Sequence, residues 1–306
     1  MFRSIDAVQA AMARQRYFAD RAIATTVFLS AKLGKPLFLE GEAGVGKTEL
    51  AKVLAAALKT RLIRLQCYEG LDASHALYEW NYPKQLLRIK LGEALQDGPD
   101  GDSQAALDSI DRELFSEPYL IRRPLLEAIT ADGASPPVLL IDEVDRADEE
   151  FEAFLLEVLS DFQITIPELG TLRAHRQPFV VITSNRTREV HDALKRRCLY
   201  LWIDFPDFER EYQILLAKVP KINEKLAGQI CALMQQLRQE DFYKKPGIAE
   251  TIDWGAALMA LHKDELDAST VEETLGCIFK YNDDLEAFRR GNLVALLEQA
   301  DINRAM

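Results

Sequence analysis

The sequence predicts an α/β protein in which a doubly wound parallel sheet is followed by a small all-helical domain. Short apolar runs of strand length alternate with segments of helical periodicity, which is the pattern of a parallel sheet with crossover helices. A glycine-rich loop, residues 41–48, directly follows the first apolar run. Beyond about residue 206 only helical periods continue. We therefore expect one domain over residues 1–206 and a second, helical domain over residues 207–306.

The individual elements follow from local signals. A helix over residues 19–32 is stopped by Gly34 and Pro36, and a further helix is expected over residues 47–58. Strand-like alternation on both sides of a Pro and a Gly predicts a β-hairpin within residues 161–177. Residues 96–103, rich in Gly, Asp and Pro, predict a surface loop. The five predicted sheet strands are residues 36–40, 61–66, 137–141, 179–183 and 199–203.

Composition limits the class of protein. A chain of 306 residues with 48% hydrophobic residues can bury a full core. Its formal net charge of −12 repels polyphosphate backbones, so we expect no nucleic-acid partner.

Targeting and redox signals are sparse. The first residues lack an uninterrupted apolar stretch of the signal-peptide kind, and no later stretch is long and apolar enough to span a bilayer. We expect a cytoplasmic protein without stable membrane insertion. The four cysteines are far apart and form no CxxC pair, which predicts reduced and mostly buried thiols.

The loop after the first strand has the pattern GxxxxGK[ST], between a strand and a helix. Its glycines allow backbone N–H groups to turn inward around an anion, Lys47 can reach the β- and γ-phosphates of ATP, and Thr48 can bind Mg²⁺. The predicted nucleotide-binding residues are Gly41, Glu42, Ala43, Gly44, Val45, Gly46, Lys47, Thr48 and Glu49.

An acidic pair, Asp142 and Glu143, ends a second apolar strand. Open α/β sheets gather their ligands at this end of the strands. Asp142 is expected to hold Mg²⁺ in its first or second shell, and Glu143 to orient and deprotonate the attacking water.

Two further features complete the pattern. Asn185 ends the next strand and, in a parallel sheet, is expected beside Glu143, where its amide can hold the water. Arg196 and Arg197 precede the last strand and are either a solvated basic turn or an arginine finger that reaches a neighbouring subunit's γ-phosphate.

In this order the motifs resemble those of the AAA+ ATPases, and more narrowly of the MoxR group. The stretches GEAGVGKTEL, DEVDRADEEFEAFLLEVLSD, VVITSN and ALKRRCLY carry the resemblance over nearly the whole chain. The resemblance implies a P-loop domain with a helical lid, a homo-hexameric ring, hydrolysis of ATP with Mg²⁺, and remodelling of a partner protein. It assigns Asn185 to sensor 1 and favours Arg197 as the finger.

Within the group the chain looks most like the CoxD branch, through CYEGLDASHALYEWNYPKQLL and RRCLYLWIDFP. That branch is associated with maturation of a molybdenum- and copper-containing carbon monoxide dehydrogenase. The family also suggests a companion protein with a von Willebrand A domain.

One departure concerns the lid. The family commonly carries an arginine, sensor 2, near the start of a lid helix, and residues 250–254 contain none. Either the lid couples to nucleotide differently, or Arg238 or another cation substitutes.

Some interpretations stay open. Tyr68, Tyr78, Trp80 and Tyr82 are either core residues or grip a substrate polypeptide. A P-loop small-molecule kinase and a DNA-acting AAA+ loader are the alternative functions. The acidic pair followed by Asn185 favours a hydrolase over the kinase, and the net charge argues against the DNA-acting loader.

Overall fold

The computed structural model describes residues 2–95, 112–133 and 135–291. The predicted loop at residues 96–103 therefore lies outside the described residues. The chain divides into two compact units, one comprising Met1–Phe28, Leu39–Val53 and Leu201–Met306, and the other Leu29–Phe38 and Leu54–Tyr200. The proposed boundary after residue 206 remains a prediction.

The predicted parallel sheet forms from five strands, β1 (Leu37–Glu40), β2 (Leu62–Gln66), β5 (Val138–Asp142), β8 (Phe179–Ser184) and β9 (Leu199–Trp202). Their order in the sheet is β2-β5-β8-β1-β9. Each strand begins and ends within one residue of its predicted bounds. The fully buried strands β1, β5 and β8 have almost entirely apolar sequences, which is typical of strands covered on both faces.

Two antiparallel strand pairs accompany the sheet. The predicted one is confirmed as β6 (Gln163–Ile166) paired with β7 (Gly170–Arg173). The other pairs β3 (Tyr78–Trp80) with β4 (Leu120–Arg122), and the sequence did not predict it.

Helices account for most of the remaining described residues. The predicted helix over residues 19–32 forms one to two residues later, and the one over residues 47–58 forms as expected. Before residue 206 the helices are Ile5–Arg14, Arg21–Leu33, Lys47–Leu58, Ala73–Leu77, Tyr82–Leu95, Pro124–Ile129, Glu149–Asp161 and Asp192–Arg197, with 3₁₀ turns at Glu117–Tyr119 and Val144–Arg146.

The described residues after residue 206 are helical, as predicted, and the helices pack around their own apolar core. Trp254 and Leu258 are fully buried in it, among residues of every lid helix. The lid helices are Phe208–Lys218, Glu224–Leu237, Ile248–Ala260, Ala268–Ile278 and Asn282–Arg290.

Two further expectations can be checked. All four cysteines are unpaired, and Cys67, Cys198 and Cys231 are buried, which confirms the predicted thiols. Within the described residues, no helix combines the length and apolar character needed to cross a bilayer.

Candidate active site

The glycine-rich loop connects β1 to the helix Lys47–Leu58. Gly44 and Gly46 have φ angles of 80° and 96°, a left-handed backbone that glycine adopts without steric cost. Such glycines let consecutive peptide groups alternate in direction, which is how a loop turns several N–H groups towards one anion. The loop is therefore built as a phosphate cradle.

Lys47 stands at the start of the helix that follows the loop, and it is buried. Its Nζ donates hydrogen bonds of 2.6 Å to the carbonyl oxygens of Gly41 and Glu42. The ammonium is thus held against the loop's own backbone. Thr48, next along, is half-buried in the first helical turn.

Glu49, one of the predicted nucleotide-binding residues, has a carboxylate that pairs with two cations. Its carboxylate accepts a hydrogen bond of 2.8 Å from Lys218 of a lid helix and lies 3.6 Å from Lys52. Burial by itself raises the pKa of this carboxyl, but the hydrogen bond and charge of Lys218, with those of Lys52, outweigh burial and lower the pKa below its ordinary value. The side chain links the helix after the loop to the lid.

Asp142 ends β5 with a buried carboxylate. Its Oδ1 accepts a hydrogen bond of 2.6 Å from the Thr183 hydroxyl, and its Oδ2 accepts bonds of 3.0 and 2.6 Å from Nε and Nη2 of Arg64. Arg64 and Thr183 could not be predicted as partners of Asp142, because each contacts it across a strand pair. The carboxylate orientation is therefore fixed from both neighbouring strands.

Glu143 has a left-handed backbone, with a φ angle of 56°. Its N–H donates to the Thr183 hydroxyl at 2.9 Å, and its carboxylate lies 2.9 Å from Nε of Arg146. A non-glycine residue in this conformation costs of order 1 kcal/mol and is found preferentially at functional sites. Glu143 is therefore a strained residue directly after a buried strand, at the end where α/β sheets bind their ligands.

Asn185 lies on the loop after β8, where a second buried carboxylate holds it. Oδ1 of Asp145 accepts a hydrogen bond of 3.2 Å from the Asn185 N–H, and Oδ2 accepts bonds of 2.8 and 2.7 Å from the N–H and hydroxyl of Thr187. The acidic segment after β5 and the loop carrying Asn185 are thus joined, which agrees with the parallel pairing of β5 and β8.

The same loop has a second anchor that the sequence did not reveal. Glu152 is 1% exposed; it pairs with Arg188 and accepts a hydrogen bond of 2.7 Å from the His191 N–H. Arg188 also donates to the Ala147 carbonyl at 3.0 Å. Two buried acids therefore fix both ends of this loop.

Arg196 and Arg197 end the helix before β9, and both are exposed. Nη1 of Arg197 donates to the Leu156 carbonyl oxygen at 2.6 Å. Both arginines line an open cavity of about 470 Å³ together with Gly34, Lys35, Pro36, Leu159, Ser160, Phe162 and Gln177. The described lining residues include three cations, Lys35, Arg196 and Arg197, and no carboxylate.

Arg238 is a candidate substitute for the sensor 2 arginine. It is 7% exposed, and its guanidinium is hydrogen-bonded inside the lid. Nη1 and Nη2 each donate to Glu211 at 2.6 Å, and Nε donates to the Pro246 carbonyl at 2.8 Å. Its guanidinium is a structural cation of the lid.

The side chains suit Mg²⁺ by their chemistry. This ion takes oxygen ligands, usually one or two carboxylates completed by water and substrate phosphates. Thr48 and Asp142 offer a hydroxyl and a carboxylate. Thr48 and Asp142 are therefore the residues that would hold the ion, which would neutralise charge on the phosphates.

A phosphate cradle after a buried strand, an acidic pair ending a second strand and an amide after a third define a P-loop nucleoside triphosphatase. The family model described as AAA domain (dynein-related subfamily) matches residues 36–198, which is more than half of the chain. The chain belongs to this family and is an ATP hydrolase.

The chain is also similar to individual proteins. It is 26% identical to an uncharacterized protein of Staphylococcus haemolyticus, over 70% of this chain and 73% of that protein. It is 24% identical to the gas vesicle ATPase GvpN of Haloferax mediterranei, over 79% of this chain and 66% of that protein. A solved structure of the RuvB Holliday junction branch migration motor of Thermotoga maritima matches with a TM-score of 0.44 and 16% identity, covering 89% of this chain and 71% of that one.

Proposed function

We propose that this ATPase works as a homo-hexameric ring of the MoxR group, which couples hydrolysis of Mg·ATP to the remodelling or activation of a partner protein. Family membership favours an ATP hydrolase over a small-molecule kinase. The observation that carries the ring proposal is the exposed pair Arg196 and Arg197.

Hydrolysis needs a base, a positioned water and charge neutralisation. In our proposal Glu143 takes the proton of the attacking water, and Asn185 holds that water against the γ-phosphate. Lys47 neutralises charge on the β- and γ-phosphates. Thr48 and Asp142 hold Mg²⁺, which when bound supplies further neutralisation of the phosphates.

The exposed arginines support a site shared between subunits. Within the described part of the chain Arg196 has no hydrogen bond or ion pair, and Arg197 has only a carbonyl oxygen as partner. Two adjacent exposed cations, in a cavity with no carboxylate among its described lining residues, attract a group on another molecule that carries negative charge. A neighbouring subunit's γ-phosphate supplies it, and we assign the finger to Arg197 with Arg196 as its support.

An exposed apolar surface supports a protein as the partner. On the helix Tyr82–Leu95, the side chains of Tyr82, Leu86, Leu87 and Leu91 are each more than half exposed. Apolar side chains clustered in this way mark protein interaction surfaces, whereas a nucleic-acid surface is basic. Trp80 is buried in the core and the partly buried Tyr78 packs against that core, so Tyr68 and Tyr82 are the exposed members of the four aromatic candidates.

Complementation between two inactive variants tests the shared site. Glu143→Gln removes the base but keeps the finger, and Arg197→Ala removes the finger but keeps the base. We expect each variant alone to retain little ATPase activity. When they are mixed and allowed to exchange subunits, sites that combine an intact Glu143 with a neighbour's intact Arg197 regain activity.

Recovery of about a quarter of the wild-type rate in an equal mixture is expected if both residues must be intact at each interface and subunits mix at random. A mixture no more active than its components would contradict the shared site. Arg196→Ala, mixed with Glu143→Gln in the same way, shows whether Arg196 or Arg197 is the finger. Analytical ultracentrifugation of each sample gives the ring size.

The CoxD-like stretches make a molybdenum- and copper-containing carbon monoxide dehydrogenase our first choice of partner, with a von Willebrand A-domain protein as companion. We expect the apo-dehydrogenase to raise the ATPase rate of this protein. A DNA-acting loader would instead show salt-sensitive DNA binding and stimulation by DNA, which the net charge of −12 opposes.

A further inference from the structure

The phosphate loop and the first turn of a lid helix touch through their backbones. The N–H of Ile248 donates a hydrogen bond of 3.1 Å to the carbonyl oxygen of Gly44. A Cβ added to Gly247 would lie 2.9 Å from the same oxygen and 3.0 Å from the Gly44 carbonyl carbon. We call this contact, made by Gly44, Gly247 and Ile248, the lid latch.

The latch fixes one peptide group of the phosphate loop. A trans peptide is planar, and its C=O and N–H point in opposite directions. When the Gly44 carbonyl faces Ile248, the N–H of Val45 in the same peptide must therefore face the other way. Gly44 has a φ angle of 80°, and glycine gives this peptide little resistance to rotation. The lid thus orients a donor of the loop without touching the phosphates.

The lid side of the latch is itself held rigidly. Arg238 donates to the carbonyl of Pro246, the residue before Gly247. The Thr251 hydroxyl donates to the Gly247 carbonyl at 3.1 Å and to Glu211 at 2.5 Å. Because Glu211 and Thr251 are both fully buried, the turn at Gly247 is tied to the interior of the lid.

The first turn of this lid helix carries a carboxylate and no arginine. Glu250 occupies the first turn, its carboxylate accepts a hydrogen bond of 2.9 Å from the Gly247 N–H, and one oxygen lies 3.2 Å from where a Gly44 Cβ would stand. A carboxylate repels phosphate, so attraction between a lid charge and the nucleotide is not the means of coupling here.

Given that the loop binds nucleotide, as proposed above, we infer that the lid is coupled to it by this backbone latch in place of an arginine. Gly247 and Ile248 are positioning residues that act through Val45. Opening the latch frees the Gly44–Val45 peptide and speeds nucleotide release.

Two variants open the latch in different ways. Ile248→Pro removes the backbone N–H that donates to the Gly44 carbonyl oxygen. Proline is favoured at the first position of a helix, and Gly247 already has the extended backbone that a residue before proline adopts. Gly247→Ala keeps the N–H and adds the clashing Cβ. The matched controls are Ile248→Val, which keeps the N–H, and Gly276→Ala, where an added Cβ has no neighbour within 4 Å.

The measurement is the dissociation rate of a fluorescent N-methylanthraniloyl-ADP by stopped flow, together with the melting temperature of nucleotide-free protein. We expect release to be about three- to tenfold faster in Ile248→Pro and Gly247→Ala, the effect of losing one hydrogen bond, and unchanged in both controls. The nucleotide-free melting temperatures should stay close to wild type, which a merely structural role would not predict.

Unchanged release in the two latch variants would overturn the latch. If one latch variant does not fold, nucleotide release from the other variant alone tests the latch. A wild-type protein that does not bind the fluorescent nucleotide would refute nucleotide binding by the loop instead, so the two failures are distinguishable.

Discussion

Arg238 and Glu211 form an ion pair with two parallel hydrogen bonds of 2.6 Å inside the lid, where the side chains are 6% and 0% exposed. Burying two charges costs several kcal/mol each, and only their mutual attraction and further hydrogen bonds offset that cost. Gln235 and Thr251 supply such bonds to Glu211. The pair joins helices Phe208–Lys218 and Glu224–Leu237.

Arg238→Met should lower the free energy of unfolding by about 3–5 kcal/mol, because it leaves a buried carboxylate unpaired. Adding Glu211→Gln removes that charge and keeps the acceptor for Gln235 and Thr251, so the double variant should regain at least half of the loss. Urea unfolding of the two variants and of Glu211→Gln alone gives the comparison. A double variant as unstable as Arg238→Met would show that lost packing, not the unpaired charge, is responsible.

Asp145 should control catalysis through the backbone of Asn185. Asp145→Asn replaces one accepting carboxylate oxygen by an NH₂ group. Because that group faces another hydrogen-bond donor, the loop carrying Asn185 must move. A shift of this kind at a water-positioning residue typically costs about ten- to a hundredfold in rate. We expect kcat for ATP hydrolysis to fall by that factor while nucleotide affinity stays the same.

Asp148→Asn is the matched control for Asp145, since Asp148 is exposed and caps a helix through the Phe151 N–H at 2.8 Å, which asparagine does equally well. Its kcat should match the wild type. Loss of nucleotide affinity in Asp145→Asn, or an equal fall in kcat in both variants, would contradict a role through Asn185.

The strands and the main motif residues could be predicted because their signals are local. An apolar run of five residues, or a GxxxxGKT loop between a strand and a helix, is complete in one short window. The order of these segments along the chain was enough to predict that Asp142 and Asn185 lie at one edge of the sheet, and the structure places them there.

The missed features depend on contacts between distant segments. Strands β3 and β4 have three residues each, too few to show alternation, and their sequences lie some 40 residues apart. Asp145 and Glu152 belong to the acidic run DEVDRADEEFE, a composition typical of a solvated surface, and only the fold shows that they are buried. Arg238 was an open candidate for a phosphate contact because its partner Glu211 is 27 residues away.

The Glu49–Lys218 pair should make stability depend on pH. The pKa of Glu49 is lowered in the folded protein from an ordinary value of 4.5. The pair therefore contributes stability above about pH 4.5, and the contribution is lost as the pH falls through the lower, folded-state value. Because both groups are about one-third exposed, the contribution is modest, roughly 0.2–1 kcal/mol.

Urea unfolding of wild type and Glu49→Gln at pH 7 and at about pH 3 tests this prediction. The variant should be less stable at pH 7, and the difference should shrink at the lower pH. Glu209→Gln removes an exposed carboxylate that has no ion pair among the described residues and should show no such trend. A difference of the same size at both pH values would contradict the titration of Glu49.

The thiols should differ sharply in reactivity towards iodoacetamide. Burial raises the pKa of Cys67 to about 12, helped by the nearby carboxylates of Asp142 and Asp145, and burial raises the pKa of Cys198 to about 12 as well. Since the thiolate is the nucleophile, both are almost unreactive at pH 8. Cys277 is only partly buried.

We expect native protein to be alkylated at Cys277 alone and urea-unfolded protein at all four cysteines, as read by peptide mass spectrometry. Cys277→Ser should remove nearly all native-state labelling. Cys67 is the informative site, because its N–H donates to the Asp142 carbonyl at 2.8 Å. Rapid alkylation of Cys67 in native protein would mean that the β2–β5 edge opens locally, and the fixed position of Asp142 would then have to be abandoned.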